Sequence, residues 1–315
     1  MTAMHDVLGI TGPIYLTIAL GYMAVRFGLF AKSDMRVFGQ FVLYVGLPAL
    51  LFNALSQRRV SEIVNWDYLL AYALGSMLIL LGALAWSKWV ARRSPSAGAY
   101  FAMGMSCSNS GFIGYPTVLL ALGGPVAGVV LALNMLVENL LKLPLLFAVA
   151  DSGQGPQGTW RHTLAQALKG LLRNPLVIAI AAGVGCSVAD VQPPGPVSRT
   201  LGLLAQTSGA LALFVIGGTL VGLQVRGLRT QVAQIAVGKL VLHPLAVLAA
   251  LWVVPVSDPQ LRMAAILSAG MPMLGIYPLL ALKHGHEGVS AAALLVTTVA
   301  AFATISLLLA ALRLV

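Results

Sequence analysis

Few side chains in this sequence can bind or move charge, and the densest run of them is Ser108-Asn109-Ser110-Gly111-Phe112-Ile113-Gly114-Tyr115-Pro116. An asparagine amide donates to a carboxylate and accepts from freed backbone amides, so Asn109 is the first candidate for a ligand contact, a role compatible with capping a helix. Ser108 and Ser110 are weaker candidates, because hydroxyls in helices commonly bond the carbonyl one turn back. A second group is Asn134, Glu138 and Lys142, spaced four residues apart on one helical face. Glu138 is the only carboxylate deep in an apolar run, where an intramembrane charge costs about 2.5–3.5 kcal/mol and must be compensated. Glu before Lys at that spacing is the favourable order for an ion pair. Two readings stay open for it, a structural pair and a proton-coupling or gating carboxylate. Lys239 sits inside another apolar run, either snorkelling to the nearer membrane face or acting as a counter-charge to a substrate anion or to Glu138. Asn53 is a further candidate cavity residue, and His243 reads as a packed, hydrogen-bonded histidine or a proton relay.

The elements that must hold these residues are membrane helices. Of 315 residues 59% are hydrophobic and 9% charged, which excludes a large soluble catalytic domain. Apolar runs recur at about 10–27, 37–55, 66–90, 99–121, 126–149, 174–190, 201–223, 231–254, 261–282 and 289–312, each near the length a bilayer requires. The expected fold is therefore all-α integral membrane with ten transmembrane helices. Barrel strands would be shorter and would alternate in polarity. The net charge of +10 records loop sidedness rather than a nucleic-acid partner. Arg26, Lys32, Arg36, Lys88, Arg92, Arg93, Arg161, Lys169, Arg173, Arg226, Arg229 and Lys283 fall on one side, taken as cytoplasmic. Arg58, Arg59, Arg199, Arg262 and Arg313 fall on the other. Both termini are then outside, and no removable signal peptide is expected.

Residues 151–173 contain Gly-Gln-Gly-Pro-Gln-Gly and read as a cytoplasmic linker between a first five-helix repeat, 1–150, and a second, 174–315. An odd number of spans per half makes the repeats inverted in the membrane. At a constant offset, Ser106, Tyr115, Pro116, Leu120 and Gly123 fall on Ser268, Tyr277, Pro278, Leu282 and Gly285. The second copy reads Gly270-Met271-Pro272-Met273-Leu274-Gly275-Ile276-Tyr277-Pro278. Proline and glycine lower the cost of leaving the helix in both copies, so the fourth and ninth helices are expected to break and cross near the midplane. Half-helix amino ends there favour an anion, while free carbonyl ends could hold a cation. The candidate substrate-binding set is Asn109, Ser108, Gly111, Gly114, Pro116, Pro272, Tyr277, Pro278, Asn134 and Asn53, with Glu138, Lys142 and Lys239 for coupling or gating.

The motif Asn-x-Gly-Phe-x-Gly-x-Pro at Asn109, Gly111, Phe112, Gly114 and Pro116 resembles that of the auxin efflux carrier family, which includes plant PIN-FORMED proteins and many bacterial carriers. Gly46-Leu47-Pro48-Ala49-Leu50-Leu51-Phe52 and Gly238-Lys239-Leu240-Val241-Leu242-His243-Pro244-Leu245 extend the similarity. The fourth-span run differs somewhat from that of malonate-type members. The resemblance implies a secondary carrier for a small organic, carboxylate-type anion in a bacterial inner membrane, working by elevator-type alternating access. It also implies a scaffold of spans 1, 2, 6 and 7, a moving transport domain of spans 3–5 and 8–10, and a homodimer formed through the scaffold. Membrane lipids are the other expected partner.

Other chemistries find little support. No Gly-Lys-Ser/Thr phosphate loop occurs, Cys107 and Cys186 lack metal-ligand spacing, and no nucleophile, base and orienter set can be assembled. No enzyme activity, cofactor or metal is expected. The competing readings are a channel or membrane receptor for a small molecule and an intramembrane lipid-modifying enzyme.

Overall fold

The computed structural model describes residues 2–152, 170, 172–223 and 229–313. Most of the expected linker, with Arg161, Lys169 and Arg226 of the basic set, lies outside the described residues. Those described form helices and the loops between them, and the only β-type pairing among them is an isolated bridge between Ser108 and Met273.

In chain order the helices are α1 (Thr2–Arg26), α2 (Asp34–Phe41), α3 (Leu47–Ser56), α4 (Val60–Ile63), α5 (Trp66–Trp89), α6 (Pro95–Ser106), α7 (Tyr115–Leu122), α8 (Gly124–Leu136) and α9 (Leu143–Asp151). They continue as α10 (Pro175–Val188), α11 (Gly195–Thr219), α12 (Arg229–Val237), α13 (His243–Val253), α14 (Pro259–Gly270), α15 (Tyr277–Leu282) and α16 (Glu287–Arg313). Wide π turns at Val42–Gly46, Ser110–Gly114, Val137–Lys142 and Gly238–Leu242 lead directly into α3, α7, α9 and α13. Each precedes a residue followed by proline, at Pro48, Pro116, Pro144 and Pro244. Proline lacks the donor that a regular helix needs at that point and crowds the preceding turn. The wider turn relieves this, and the residue before each proline bonds the carbonyl five residues back, as His243 does to Gly238.

Among the described residues, seven segments are long and apolar enough to cross a membrane unaided: Val7–Arg26, Asp34–Ser56, Trp66–Trp89, Gly124–Asp151, Gly195–Thr219, Thr230–Val253 and Glu287–Leu312. Ten were expected from the apolar runs. The fourth and ninth runs are each divided into two shorter helices, and the sixth is the 14-residue α10. The division follows the Gly and Pro positions noted in the sequence.

Helix starts follow cap chemistry. Asn174 and Asp258 accept from Leu176 and Gln260 amides at 3.0 and 2.8 Å, and Ser94 accepts from Ala97 at 3.3 Å. Each is followed by proline at the first helical position, where a missing donor costs nothing.

Packing falls into two groups. The first is α1 against α11, with α3 against both α10 and α11. Gly21 and Gly217 let the backbones of α1 and α11 touch, since a Cβ at Gly217 would overlap the Ile18 carbonyl and one at Gly21 the Phe214 carbonyl. Lipid supplies no hydrophobic drive for helix pairing, so such close approach is how two membrane helices gain contact energy. The second group is α5 with α6 and α13, α6 with α9, and α15 with α16. Contacts of α1 with α16 and of α3 with α8 join the groups.

Candidate functional site

The two divided segments meet each other. Helix α6 ends at Ser106, Cys107 is extended, and Asn109 turns the chain into the π turn before α7. Helix α14 ends at Gly270, and residues 271–276 are non-helical before α15 begins at Tyr277. Ser108 pairs with Met273, and the Asn109 amide donates to the Pro272 carbonyl at 2.8 Å. Two stretches that must leave the helix thereby satisfy part of each other's backbone, as buried polar groups require.

Around this meeting lies a buried polar network. Glu138 and Lys142, on the π turn between α8 and α9, form an ion pair of 2.6 Å with both side chains at most 1% exposed. The same ammonium donates to the Ser106 carbonyl at 2.8 Å, and Glu138 Oε1 also accepts from the Ser108 amide at 3.0 Å. Lys239, on the π turn before α13, donates to the Ala269 carbonyl at 2.6 Å and the Ser108 hydroxyl at 2.9 Å. Its third neighbour is His243 Nδ1 at 2.9 Å. An ammonium has only donors, so Nδ1 accepts, and the Nε2 proton points to Ser76 Oγ at 2.9 Å. Lys239 therefore does not snorkel. It is fully buried, because three acceptors inside the protein replace the water its ammonium would otherwise seek.

Asn134 is also buried, accepting from the Tyr68 hydroxyl at 2.8 Å. Asn109 Oδ1 accepts from the Phe112 amide at 3.1 Å, the capping role, while its Nδ2 is buried without a partner. Ser110 Oγ and Glu138 Oε2 are likewise buried and unpartnered. Unmet buried polar atoms are costly and call for an explanation.

A cavity of about 460 Å³ opens between α1, α3, α7 and α11. Its walls bring together Asn53, Tyr115 and Pro116 with Thr17 and Gln206. Asn109, Ser108, Gly111, Gly114, Pro272, Asn134 and Lys239 are buried residues outside those walls. Half-buried Pro278 is outside them too. Tyr277 is elsewhere, buried against α6 with its hydroxyl donating to the Tyr100 carbonyl at 2.6 Å. Tyr115, which the sequence comparison aligned with it, is the one that faces the cavity.

Thr17, Gln206, Tyr68, Tyr72 and Ser76 were missed by reading the sequence. Single polar residues in long apolar helices carry no local signal, and only the packing of distant segments shows what they face. The π turns had one, the Pro that follows each.

A second polar cluster lies at the helix ends. Asp151 receives Lys283 at 3.0 Å and His284 Nε2 at 3.1 Å, and the Tyr100 hydroxyl meets His284 Nδ1 at 3.0 Å. Ser96 meets His286 Nε2 at 3.2 Å, and burial lowers the His286 pKa from its ordinary value.

A helical protein with several membrane-crossing segments and charged groups sealed at its centre is built as an integral membrane transporter. The chain belongs to the membrane transport protein family, whose description "Membrane transport protein" matches residues 6–309, and this family contains the auxin efflux carriers that the fourth-span motif resembles. It is a family of transporters rather than enzymes. The chain is similar to the "Putative malonate transporter" of Rhizobium meliloti (strain 1021), 29% identical over 98% of this chain and 97% of that protein. It is similar to the "Uncharacterized transporter YfdV" of Escherichia coli (strain K12), 26% identical over 82% of this chain and 83% of that one. A rice protein named "Probable auxin efflux carrier component 9" is 31% identical over 30% of this chain and 22% of its own length.

Proposed function

We propose that this protein is a secondary carrier that moves a small organic anion of carboxylate type by elevator-type alternating access. The observation that carries the reading is the Asn109 amide nitrogen, buried and unpartnered beside two helix interruptions that bond to each other. A carboxylate oxygen supplies the acceptor it lacks, and the amino end of α7 adds a favourable dipole. In this reading the chain spans the membrane ten times as two inverted five-helix repeats, 1–150 and 174–315, joined by a cytoplasmic linker at 151–173. Spans 4 and 9 are broken and cross at the substrate. The two packing groups support the division of labour: α1, α2–α3, α10 and α11 as scaffold, the rest as transport domain. The cavity at Asn53, Tyr115 and Pro116 lies between them and serves as the approach to the crossing. A homodimer through the scaffold, both termini outside, and residence in a bacterial inner membrane complete the proposal.

Malonate, which the fourth-span run argued against, returns as a substrate to test because of the name its Rhizobium relative carries. Purified protein in liposomes, loaded with malonate, other mono- and dicarboxylates or indole acids, should show saturable counterflow with one of these classes. Flux that is linear and indifferent to substrate on the far side would replace the carrier by a channel.

A further inference from the structure

A groove of about 830 Å³ runs along the outer face of the protein between α5 and α12, with α6 as its floor. Leu78, Gly82 and Trp86 form one wall, Val237 and Leu242 the other, and Phe101 lies between them. Leu78, Trp86, Val237 and Leu242 are all more than two-fifths exposed, so in a membrane this face meets lipid. Gly82 borders open space on this wall: a Cβ there would meet nothing within 4 Å. From Thr230 to Leu242 the wall runs twelve residue steps along α12 and the π turn after it, about 18 Å at about 1.5 Å each, close to one leaflet's share of a hydrocarbon core about 30 Å thick.

One end of this groove is basic. Arg93, in the loop after α5, stacks its guanidinium 3.9 Å over the Phe101 ring and donates to Gln234 Oε1 at 3.1 Å. It thus bridges floor and far wall at the mouth. A further contact to Ser87 Oγ is long, 3.4 Å, and none of the ion pairs among the described residues includes Arg93. Several of its five donors remain available, in the fork geometry that suits a phosphate. Lys88 and Arg92 stand exposed beside it. An acyl-chain-sized apolar slot ending at a carboxylate-free arginine complements a molecule with an apolar tail and an anionic head.

We infer that this groove is a binding site for an anionic phospholipid, one acyl chain lying between α5 and α12 and the phosphate resting on Arg93. The site is separate from the substrate crossing and does not depend on the transport proposal. Native mass spectrometry of the full chain released from mixed phosphatidylglycerol and phosphatidylcholine micelles tests it. The wild type should retain phosphatidylglycerol over phosphatidylcholine by about five-fold, the scale of one basic side chain at an anionic headgroup. Gly82→Leu, which fills the slot and improves helix propensity, should lose retention of both lipids. Arg93→Gln should bring the two lipids to parity while keeping the slot. Equal retention by the wild type, or undiminished phosphatidylglycerol on Gly82→Leu, would overturn the proposal. So would loss of a dimer in Gly82→Leu, which would give the face to a second copy of the chain.

Discussion

Lys142 and Lys239 do the same job at two different helix ends: one ammonium caps α6 through the Ser106 carbonyl, the other caps α14 through the Ala269 carbonyl. The carboxyl end of a helix concentrates unpaired carbonyls and partial negative charge. A buried helix end of this kind is stabilised by a cation, and here the cation is a side chain of the protein. The two lysines are not repeat-related in sequence. They arrive from α8–α9 and from α12–α13, so similar electrostatics have been met by unlike positions.

This arrangement predicts transport without sodium. The carbonyl ends at which a metal cation could sit already hold ammonium groups, and a buried site does not accept a second charge cheaply. Substrate uptake into vesicles should proceed at the same rate with choline replacing sodium. A rate that falls with sodium removal would show that the lysine caps leave a cation site open.

Stability should depend on the Glu138–Lys142 pair as a unit. Lys142→Ala leaves Glu138 buried without its partner and is expected to cost about 3–5 kcal/mol. Glu138→Leu combined with Lys142→Met should recover part of that loss but not all, because the Ser106 carbonyl and the Ser108 amide then lack partners. Thermal or denaturant unfolding of Lys142→Ala, of the double variant and of its two single substitutions in one detergent measures this, and a fully additive result for the double variant would mean that the two residues do not act together.

A separate role for Glu138 in proton coupling has its own readout. Glu138→Gln keeps an acceptor toward Lys142 and Ser108 but cannot exchange a proton, so the pH dependence of uptake should flatten. An unaltered profile would leave the pair structural.

Asn109 can be dissected because its two side-chain atoms do different things. Asn109→Asp preserves the cap on the Phe112 amide, removes the unpartnered donor and adds a carboxylate that repels an anion. Hydrogen bonds to charged groups contribute about 1.5–3 kcal/mol, so anion affinity should fall by about 10- to 100-fold. Asn109→Ala also removes the cap, and should lower unfolding temperature as well as affinity. Isothermal titration of both variants with the substrate identified by counterflow separates the roles. Equal affinity for Asn109→Asp and wild type would take the amide out of the site.

The contact of α1 with α11 makes a purely mechanical prediction. Gly217→Ala places a methyl group against the Ile18 carbonyl, backbone that cannot rotate away. Overpacking of this kind costs about 1–3 kcal/mol, readable as a lower unfolding temperature with little change in substrate affinity among the molecules that remain folded.

Much of the membrane layout was legible because apolar length is a local property: seven of the expected spans appear as helices of crossing length. Gly and Pro at 108–116 and 270–278 lie where α6 and α14 end and α7 and α15 begin. The Glu138–Lys142 pair followed from spacing along one helix. Lys239 was harder, since its partners Ala269, Ser108 and His243 come from three elements and only one of them is near in sequence. Tyr277 looked like a twin of Tyr115 in the sequence and instead braces α6 through the Tyr100 carbonyl, because matching sequence positions do not give two side chains the same neighbours. The π turns change which residues share a face, and periodicity alone cannot register them.

The bridge between Ser108 and Met273, with the adjoining bond from Asn109 to Pro272, ties together two parts of the chain far apart in sequence. A shift of one side of this pairing strains the bonds it shares with the other, so the two are expected to vary together. Second-site changes that rescue a damaged first segment should therefore cluster between Pro272 and Gly275, across the pairing, rather than elsewhere in the helix that was damaged.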